Sequence, residues 1–395
     1  MILDANQILA LAPDAASAKA GSQLALPRNW SNLGRSESAV WGECQGSGKQ
    51  PYWLQSRKQR QEKKAAKPEP PPEAAATAAA QARKREGKRE DKVDAGLREL
   101  QTWLHDLARE GLASVRSRGQ GFWEAIAARM VDAQAAPLAR RLRRAGGMLY
   151  QSNLPHAEQL VAHELASLYL LGEAWRRLGE LPAPLQADVR SLLGWPVSQE
   201  DVLRETPLQD HWHVLSQTVS EDERLRVRAS WLRGATSGHW ALVLQYAAGT
   251  QGFEQGLVPG TAFDGALHFY PGAFPLRALV GQQAEVRALA DGPGPASGVD
   301  ALLDDYAHAL AAQPFLERFP ALLADLVPDA DHRILRDAQG RGIELHPSFR
   351  HAIYLLAVSG GQPLTVFGEW DGRTLLPLSV WHEGRLHNID SDFIS

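Results

Sequence analysis

Between Val93 and Leu107 the large apolar residues fall at Val93, Leu97, Leu100, Leu104 and Leu107. Spacings of three and four put all five on one side of a helix. A stripe of that kind must be covered, so this part of the chain folds only against neighbouring elements. The pattern recurs downstream. A second helix is expected over 122–144, with Ile126, Met130 and Leu142 inward and Pro137 as a kink or a break. A third is expected over 156–178, with Leu160, Leu168, Leu171 and Trp175 on its buried side. Pro182 and Pro184 end it, and a shorter helix follows over 185–193. Together these read as an antiparallel helical bundle.

Upstream of Val93 the helical period is absent. Arg57, Lys58, Arg60, Lys63, Lys64 and Lys67 lead into Pro68-Glu69-Pro70-Pro71-Pro72, an alanine tract, and then Arg83, Lys84, Arg85, Lys88 and Arg89. Almost nothing here is large and apolar, so burial cannot offset the entropy of ordering. A disordered basic linker is expected over 56–91, its alanine and charged pieces at most transiently helical. Residues 1–55 read as a short module, with helices over 4–11 and 13–20. Strands over 39–43 and 52–54 are separated by the turn Gly46-Ser47-Gly48.

Beyond Trp195 the signal is mixed. Strands are expected over 212–219, 225–232 and 239–246, followed by a glycine- and proline-rich stretch over 249–272. Helices are expected over 299–312 and 315–326. Strands follow over 353–358, 364–369, 374–381 and 385–389, with Asp371-Gly372 as a hairpin signal. The fold class is therefore α+β: an N-terminal module (1–55), a basic Ala/Pro-rich linker (56–91), a helical bundle (92–195) and a C-terminal mixed α+β domain with antiparallel strands (196–395).

The totals exclude several chemistries. With 395 residues and 44% hydrophobic side chains there is ample material for large cores. A net charge of −4 gives no chain-wide drive toward nucleic acid or membranes. The single cysteine, Cys44, removes intrachain disulfides and thiolate-rich metal sites. No window approaches the ~20 apolar residues that span a bilayer, and the N-terminus lacks a signal-peptide pattern, so a cytoplasmic location is expected.

No catalytic motif survives inspection. Gly46-Ser47-Gly48-Lys49 resembles the tail of a phosphate loop, but Glu43 stands where the first glycine belongs and Gln50-Pro51 follows the lysine. A hairpin turn is the better reading. Cys44 has no nearby histidine and reads as a structural thiol. His211 and His213 flank Trp212 and face one way on a strand, while His346 and His351, and His382 and His387, are each five apart and do not align on a helix face. None of these pairs marks the third and fourth ligands that a closed metal site needs. Asp304-Asp305 reads as a solvated helix face, and the twelve tryptophans read mainly as core.

The basic tract is the remaining candidate. From Arg57 to Lys92 there are twelve basic residues against six acidic ones. Arg57, Lys58, Arg60, Lys63, Lys64, Arg83, Lys84, Arg85, Lys88 and Arg89 could neutralise phosphates without reading sequence. The tract lacks interleaved aromatics for base stacking, so a solvated tether is the simpler reading.

Two stretches carry a family resemblance. Leu9-Ala10-Leu11-Ala12-Pro13-Asp14-Ala15-Ala16-Ser17-Ala18-Lys19-Ala20-Gly21 is one. Trp41-Gly42-Glu43-Cys44-Gln45-Gly46-Ser47-Gly48-Lys49-Gln50-Pro51-Tyr52 is the other. Both are similar to the opening of bacterial SWIM zinc-finger proteins, and the run from Gly96 to Leu107 also resembles that family. The resemblance implies that a Cys-x-Cys and Cys-x-His zinc set should follow Tyr52. Here Trp53-Leu54-Gln55-Ser56-Arg57 follows instead and looks like the family's later linker. The ligand segment is missing between Tyr52 and Trp53, and Cys44 belongs to the preceding strand, so residues 1–55 read as a remnant of the SWIM-type module. No zinc, no other cofactor and no catalytic residue is expected. The resemblance implies protein partners, among them MoxR-type AAA ATPases and von Willebrand factor A proteins. The expected function is a non-catalytic scaffold or adaptor; the contrasting one is nucleic-acid binding through the basic tract.

Overall fold

The computed structural model describes residues 30–35, 40–44, 72–151, 156–222, 225–248, 252–253, 256–329, 331 and 333–389. The chain divides into two compact units, 1–83 and 84–395. In the first, β1 (Trp30–Arg35) and β2 (Val40–Cys44) pair antiparallel, with Trp30 opposite Cys44 and Arg35 opposite Val40. The strand expected over 39–43 is thus β2, and it pairs with an upstream strand that the sequence pattern did not mark. The helices expected over 4–11 and 13–20, the turn at Gly46 and the strand over 52–54 lie outside the described residues.

Helix α1 runs over Pro72–Glu110, which corrects the expectation of disorder for 72–91. Alanine is the best helix former, and a proline tolerates the first turn because its missing N–H is unpaired there in any case. Tertiary contacts then hold the polar part: Arg190 reaches Glu90 at 3.0 Å, and Arg89 donates to the Gly194 carbonyl at 2.9 Å. Residues 56–71 lie outside the described residues.

The rest of the bundle comprises α2 (Leu112–Val115), α3 (Gln120–Asp132), α4 (Ala136–Tyr150), α5 (Ala157–Arg176) and α6 (Ala183–Leu192). The helix expected over 122–144 is two helices. Gln134 takes the left-handed conformation (φ 61°) and Pro137 sits in the first turn of α4, so the chain folds back there. Val93, Leu97, Leu100, Leu104 and Leu107 are all buried, packed with Trp123, Ile126, Met130, Leu142 and Leu168. Gly146 lets α4 approach α3 closely, since a Cβ there would stand 2.6 Å from the Trp123 ring.

After the short α7 (Gln199–Val202), five strands close on themselves. They are β3 (Leu208–Asp222), β4 (Leu225–Gly234), β5 (Trp240–Ala248), β6 (Thr261–Phe269) and β7 (Arg277–Gln283), with β8 (Arg287–Ala288) on the edge of β6. The order is β3-β4-β5-β7-β6, and β6 pairs back to β3. Only β5–β7 is parallel, Leu242 opposite Arg277. That order, with its single parallel pair, is the connectivity of an OB-type Greek-key barrel. Strand β3 serves both neighbours because a bulge between Val214 and Ser216 bends it. Trp212, Val214, Leu232, Phe263 and Leu267 fill the interior. Strand β6 lies inside the stretch expected to be irregular on its glycines and prolines.

The second sheet is antiparallel in the order β11-β10-β9-β12-β13-β14. Its strands are β9 (Phe319–Asp329), β10 (Ile334–Arg336), β11 (Gly342–Glu344), β12 (Leu364–Trp370), β13 (Leu375–His382) and β14 (Arg385–Asn388). Helices α8 (Val299–Ala312) and α9 (Ala352–Ser359) share its core. Two expectations are reversed. Residues 315–326 were expected helical, but 319–329 form the central strand, buried on both faces. Residues 353–358 were expected as a strand but form α9, which Gly360 stops in the left-handed conformation. A short apolar run does not reveal its period until its neighbours are known. The hairpin at Asp371-Gly372 forms as expected, the Asp371 carboxylate accepting from the amides of Arg373 and Thr374 at 2.8 and 2.7 Å. Among the described residues no helix is long and apolar enough to cross a membrane.

Candidate functional site

Of the basic candidates, Arg57, Lys58, Arg60, Lys63 and Lys64 lie outside the described residues, whereas Arg83, Lys84, Arg85, Lys88 and Arg89 ride on α1. The helical period sorts them. Glu90 turns toward Arg190 of α6 at 3.0 Å and Glu86 lies 4.0 Å from it, while Arg85, Glu86, Lys88, Arg89 and Lys92 line a neighbouring hollow of about 570 Å³. Arg89 is the organising residue. Its guanidinium lies 4.2 Å from the Trp195 ring, which in turn stacks on Trp175 at 5.0 Å. A second hollow of about 470 Å³ shares Arg89, Gln134 and Trp195 with the first, and adds Arg140 of α4 with Tyr270 and Arg277 of the barrel.

The barrel side of this cleft is fixed by Asp188 of α6, which accepts from the Ala273 amide at 2.7 Å. Burial raises the Asp188 pKa, against the pull of the Ala273 and Gln313 hydrogen bonds. A Cβ on Gly272 would stand 2.6 Å from that carboxylate, so a side chain in the turn between β6 and β7 would push Asp188 from its place. Arg277 lies 4.3 Å above the Tyr270 ring. Sequence reasoning found the α1 cations but missed Arg140, Trp195, Tyr270 and Arg277, which are distant in the chain and carry no motif.

The histidines are dispersed. His211 and His213 share a face of β3, their rings 5.3 Å apart, and His211 Nδ1 lies 2.9 Å from Asp264. His346 stands beside Asp371 at 3.9 Å, His351 precedes α9, and His382 and His387 sit on β13 and β14. Among the described residues no three His, Cys, Asp or Glu side chains gather as a metal site would require. Of the family-motif residues, Trp41, Gly42, Glu43 and Cys44 lie on β2, and Gly46, Gly48, Pro51 and Tyr52 lie outside the described residues. Trp123, Trp212, Trp231 and Trp370 are buried, as core aromatics.

His213 carries a pH prediction. Burial lowers its pKa, opposed by its hydrogen bond to the Pro293 carbonyl; His211 and Arg233 add to the lowering and Asp210 opposes it. His346 is lowered by burial too, against Asp371 and Glu369. Both are therefore held neutral in the fold, and the unfolded chain binds more protons below the ordinary value of 6.5. Their contribution is complete above that pH and declines as pH falls from it toward the lowered folded values. Urea midpoints measured from pH 7 to 5 should fall, each histidine contributing no more than ~1.4 kcal/mol per pH unit. His213→Leu should flatten the slope, and an unchanged slope would contradict the assignment.

A second surface is apolar. On the outer wall of the β4–β5 hairpin Leu225 pairs with Ala248 and Val227 with Tyr246, so all four point the same way. Leu225 is 43% and Tyr246 51% exposed. Further along that wall Trp231 is buried against Phe367, Leu322 and Leu378 of the second sheet. One apolar face is thus covered at one end and open at the other.

Residues 88–193 match the family model of the SWIM-associated four-helix bundle domain. Comparison with curated proteins and with solved structures finds no significant match. Residues 88–193 are therefore similar to a SWIM-associated four-helix bundle domain, and the rest of the chain lies outside that match.

Proposed function

We propose that the protein is a non-catalytic scaffold or adaptor that binds protein partners through the outer wall of the β4–β5 hairpin, with no zinc of its own. The open apolar strip at Leu225, Val227, Tyr246 and Ala248 carries this reading. It continues the seam that already holds the second sheet, so a partner would extend an existing buried layer rather than create one. The bundle domain's family supports an interaction or regulatory role. MoxR-type AAA ATPases and von Willebrand factor A proteins are the first partners to try.

The test compares the full chain with Tyr246→Glu and with Leu225→Asp by surface-immobilised binding to purified proteins of those two classes. Both positions are exposed, so the thermal midpoint should barely move. An exposed aromatic that becomes a central anchor is worth ~2 kcal/mol or more, about thirtyfold in affinity. Equal binding by the variants would rule out this wall, and no binding by the parent chain would remove those partner classes.

A further inference from the structure

The cleft between α1, α4, α6 and the barrel gathers like charges from three separate elements. Lys88 and Lys92 come from α1, Arg140 from α4 and Arg277 from β7, around Arg89. Elsewhere the bundle pairs its arginines: Arg98 with Asp94, Arg129 with Glu99, Arg141 with Glu164, Arg143 with Glu124. In the cleft, Lys88, Lys92, Arg140 and Arg277 have no carboxylate partner among the described residues. Of the α1 carboxylates nearby, Glu90 pairs with Arg190 at 3.0 Å, while Glu86, 4.0 Å from Arg190, lines the first hollow and is outnumbered there by Arg85, Lys88, Arg89 and Lys92. Uncompensated cations repel one another in the folded state, and a bound polyanion reverses the sign of that energy.

The geometry narrows the anion. Two guanidiniums sit over rings, Arg89 at 4.2 Å from the Trp195 centroid and Arg277 at 4.3 Å from that of Tyr270, which restricts where they can move before a ligand arrives. A guanidinium plane binds phosphate by its edge and stacks a base on its face. Arg89 Nε is buried with no hydrogen-bond partner. Helix α4 starts at the cleft wall with no side-chain cap, which adds the positive end of a 15-residue helix. The two hollows adjoin through Arg89, Gln134 and Trp195, so cations line a continuous groove rather than a single pocket. A small anion would use one of these groups. A flexible strand can lie along them all.

We propose that this groove binds single-stranded nucleic acid, taking the phosphodiester backbone along Arg85, Lys88, Arg89, Lys92, Arg140 and Arg277. The site lies on other residues than the β4–β5 wall, and either proposal can fail without the other.

The experiment is fluorescence anisotropy on the full chain with labelled oligo(dT) and oligo(U) of about 12 nucleotides. A duplex of equal length and inorganic polyphosphate serve as comparison arms. Binding at low salt should weaken with a log–log salt slope of about −3, the release expected for about four phosphates on a single strand. Arg140→Glu with Arg277→Glu, both exposed, should lower affinity at least ~10-fold and shallow the slope by about 1.4. Lys88→Gln with Lys92→Gln should give a smaller loss of the same kind. Arg98→Glu with Arg109→Glu, the same charge change elsewhere on α1, should stay within about twofold. The proposal is overturned by no anisotropy change with either strand, by equal losses in the Arg98/Arg109 variant, or by full binding of the Arg140/Arg277 variant, which would move the contact to the basic tract upstream. Duplex or polyphosphate binding as tightly as the single strands would also overturn it, leaving a generic polyanion surface.

Discussion

Glu164→Ala should destabilise the protein by about 3–5 kcal/mol, the cost of leaving a buried charge without its partner. Arg141 of α4 meets Glu164 of α5 in a two-pronged contact, Nε to Oε1 at 2.7 Å and Nη2 to Oε2 at 3.2 Å. Nη2 also donates to Ser167 at 2.9 Å, and Arg144 adds a bond to the same carboxylate at 3.2 Å. Both side chains of the central pair are about nine-tenths buried. Glu317, ahead of β9, stands 3.8 Å from Arg141 and 3.7 Å from Arg144, but its half-exposed carboxylate cannot replace Glu164. The Nη1 of Arg141 is already unpaired, so the variant would strand most of a guanidinium in the core.

The same pair sets an acid limit. Burial, the largest influence on Glu164, would raise its pKa, but the bonds and charges of Arg141 and Arg144 outweigh it and hold the carboxyl below the ordinary 4.5. A lowered folded pKa gives stability that is present above the unfolded value and lost as pH falls through the folded one. Urea denaturation at pH 7 should show the full loss for Glu164→Ala. Arg141→Met with Glu164→Leu should recover most of it, because the pair is removed rather than broken. A loss under ~1 kcal/mol for the single variant would mean that water reaches the site.

Trp231→Ala should cost a similar ~3–5 kcal/mol, and the loss should concentrate where the barrel meets the second sheet. Trp231 is fully buried among Leu215, Leu322, Phe367 and Leu378, its ring 6.2 Å from that of Phe367. Its Nε1 donates to Glu369 at 2.8 Å, a carboxylate otherwise met by the exposed Arg318 at 3.4 Å. Alanine would leave both a cavity and a poorly satisfied acid. Trp231→Phe separates the two effects: most of the packing stays, and the lost hydrogen bond costs ~1–3 kcal/mol. Amide exchange should accelerate in β4 and β12 and stay slow in α3 and α4. Uniform acceleration would show instead that the bundle and sheets unfold as one.

Local periodicity and local stereochemistry were legible in the unfolded chain. The stripe from Val93 to Leu107, an interruption of some kind at Pro137, the ends at Pro182 and Pro184, and the Asp371-Gly372 hairpin all follow from spacing or backbone restriction within a few residues. The remainder depends on contacts between residues distant in the chain. Residues 72–91 carry almost no large apolar side chains to bury, and those beyond 83 are held by Arg190, Gly194 and Trp195, a hundred residues away. The runs at β9 and α9 are mostly apolar, so what surrounds them, not their own period, selects strand or helix. Barrel closure depends on β3 meeting β6 and on β5 lying parallel to β7, pairings that no local pattern encodes. The cleft follows the same rule. Its α1 cations were legible as a charge run, but whether a charge is solvated, paired or gathered with others is a sum over neighbours in space. Arg140, Tyr270 and Arg277 become neighbours of Arg89 only when the chain has folded.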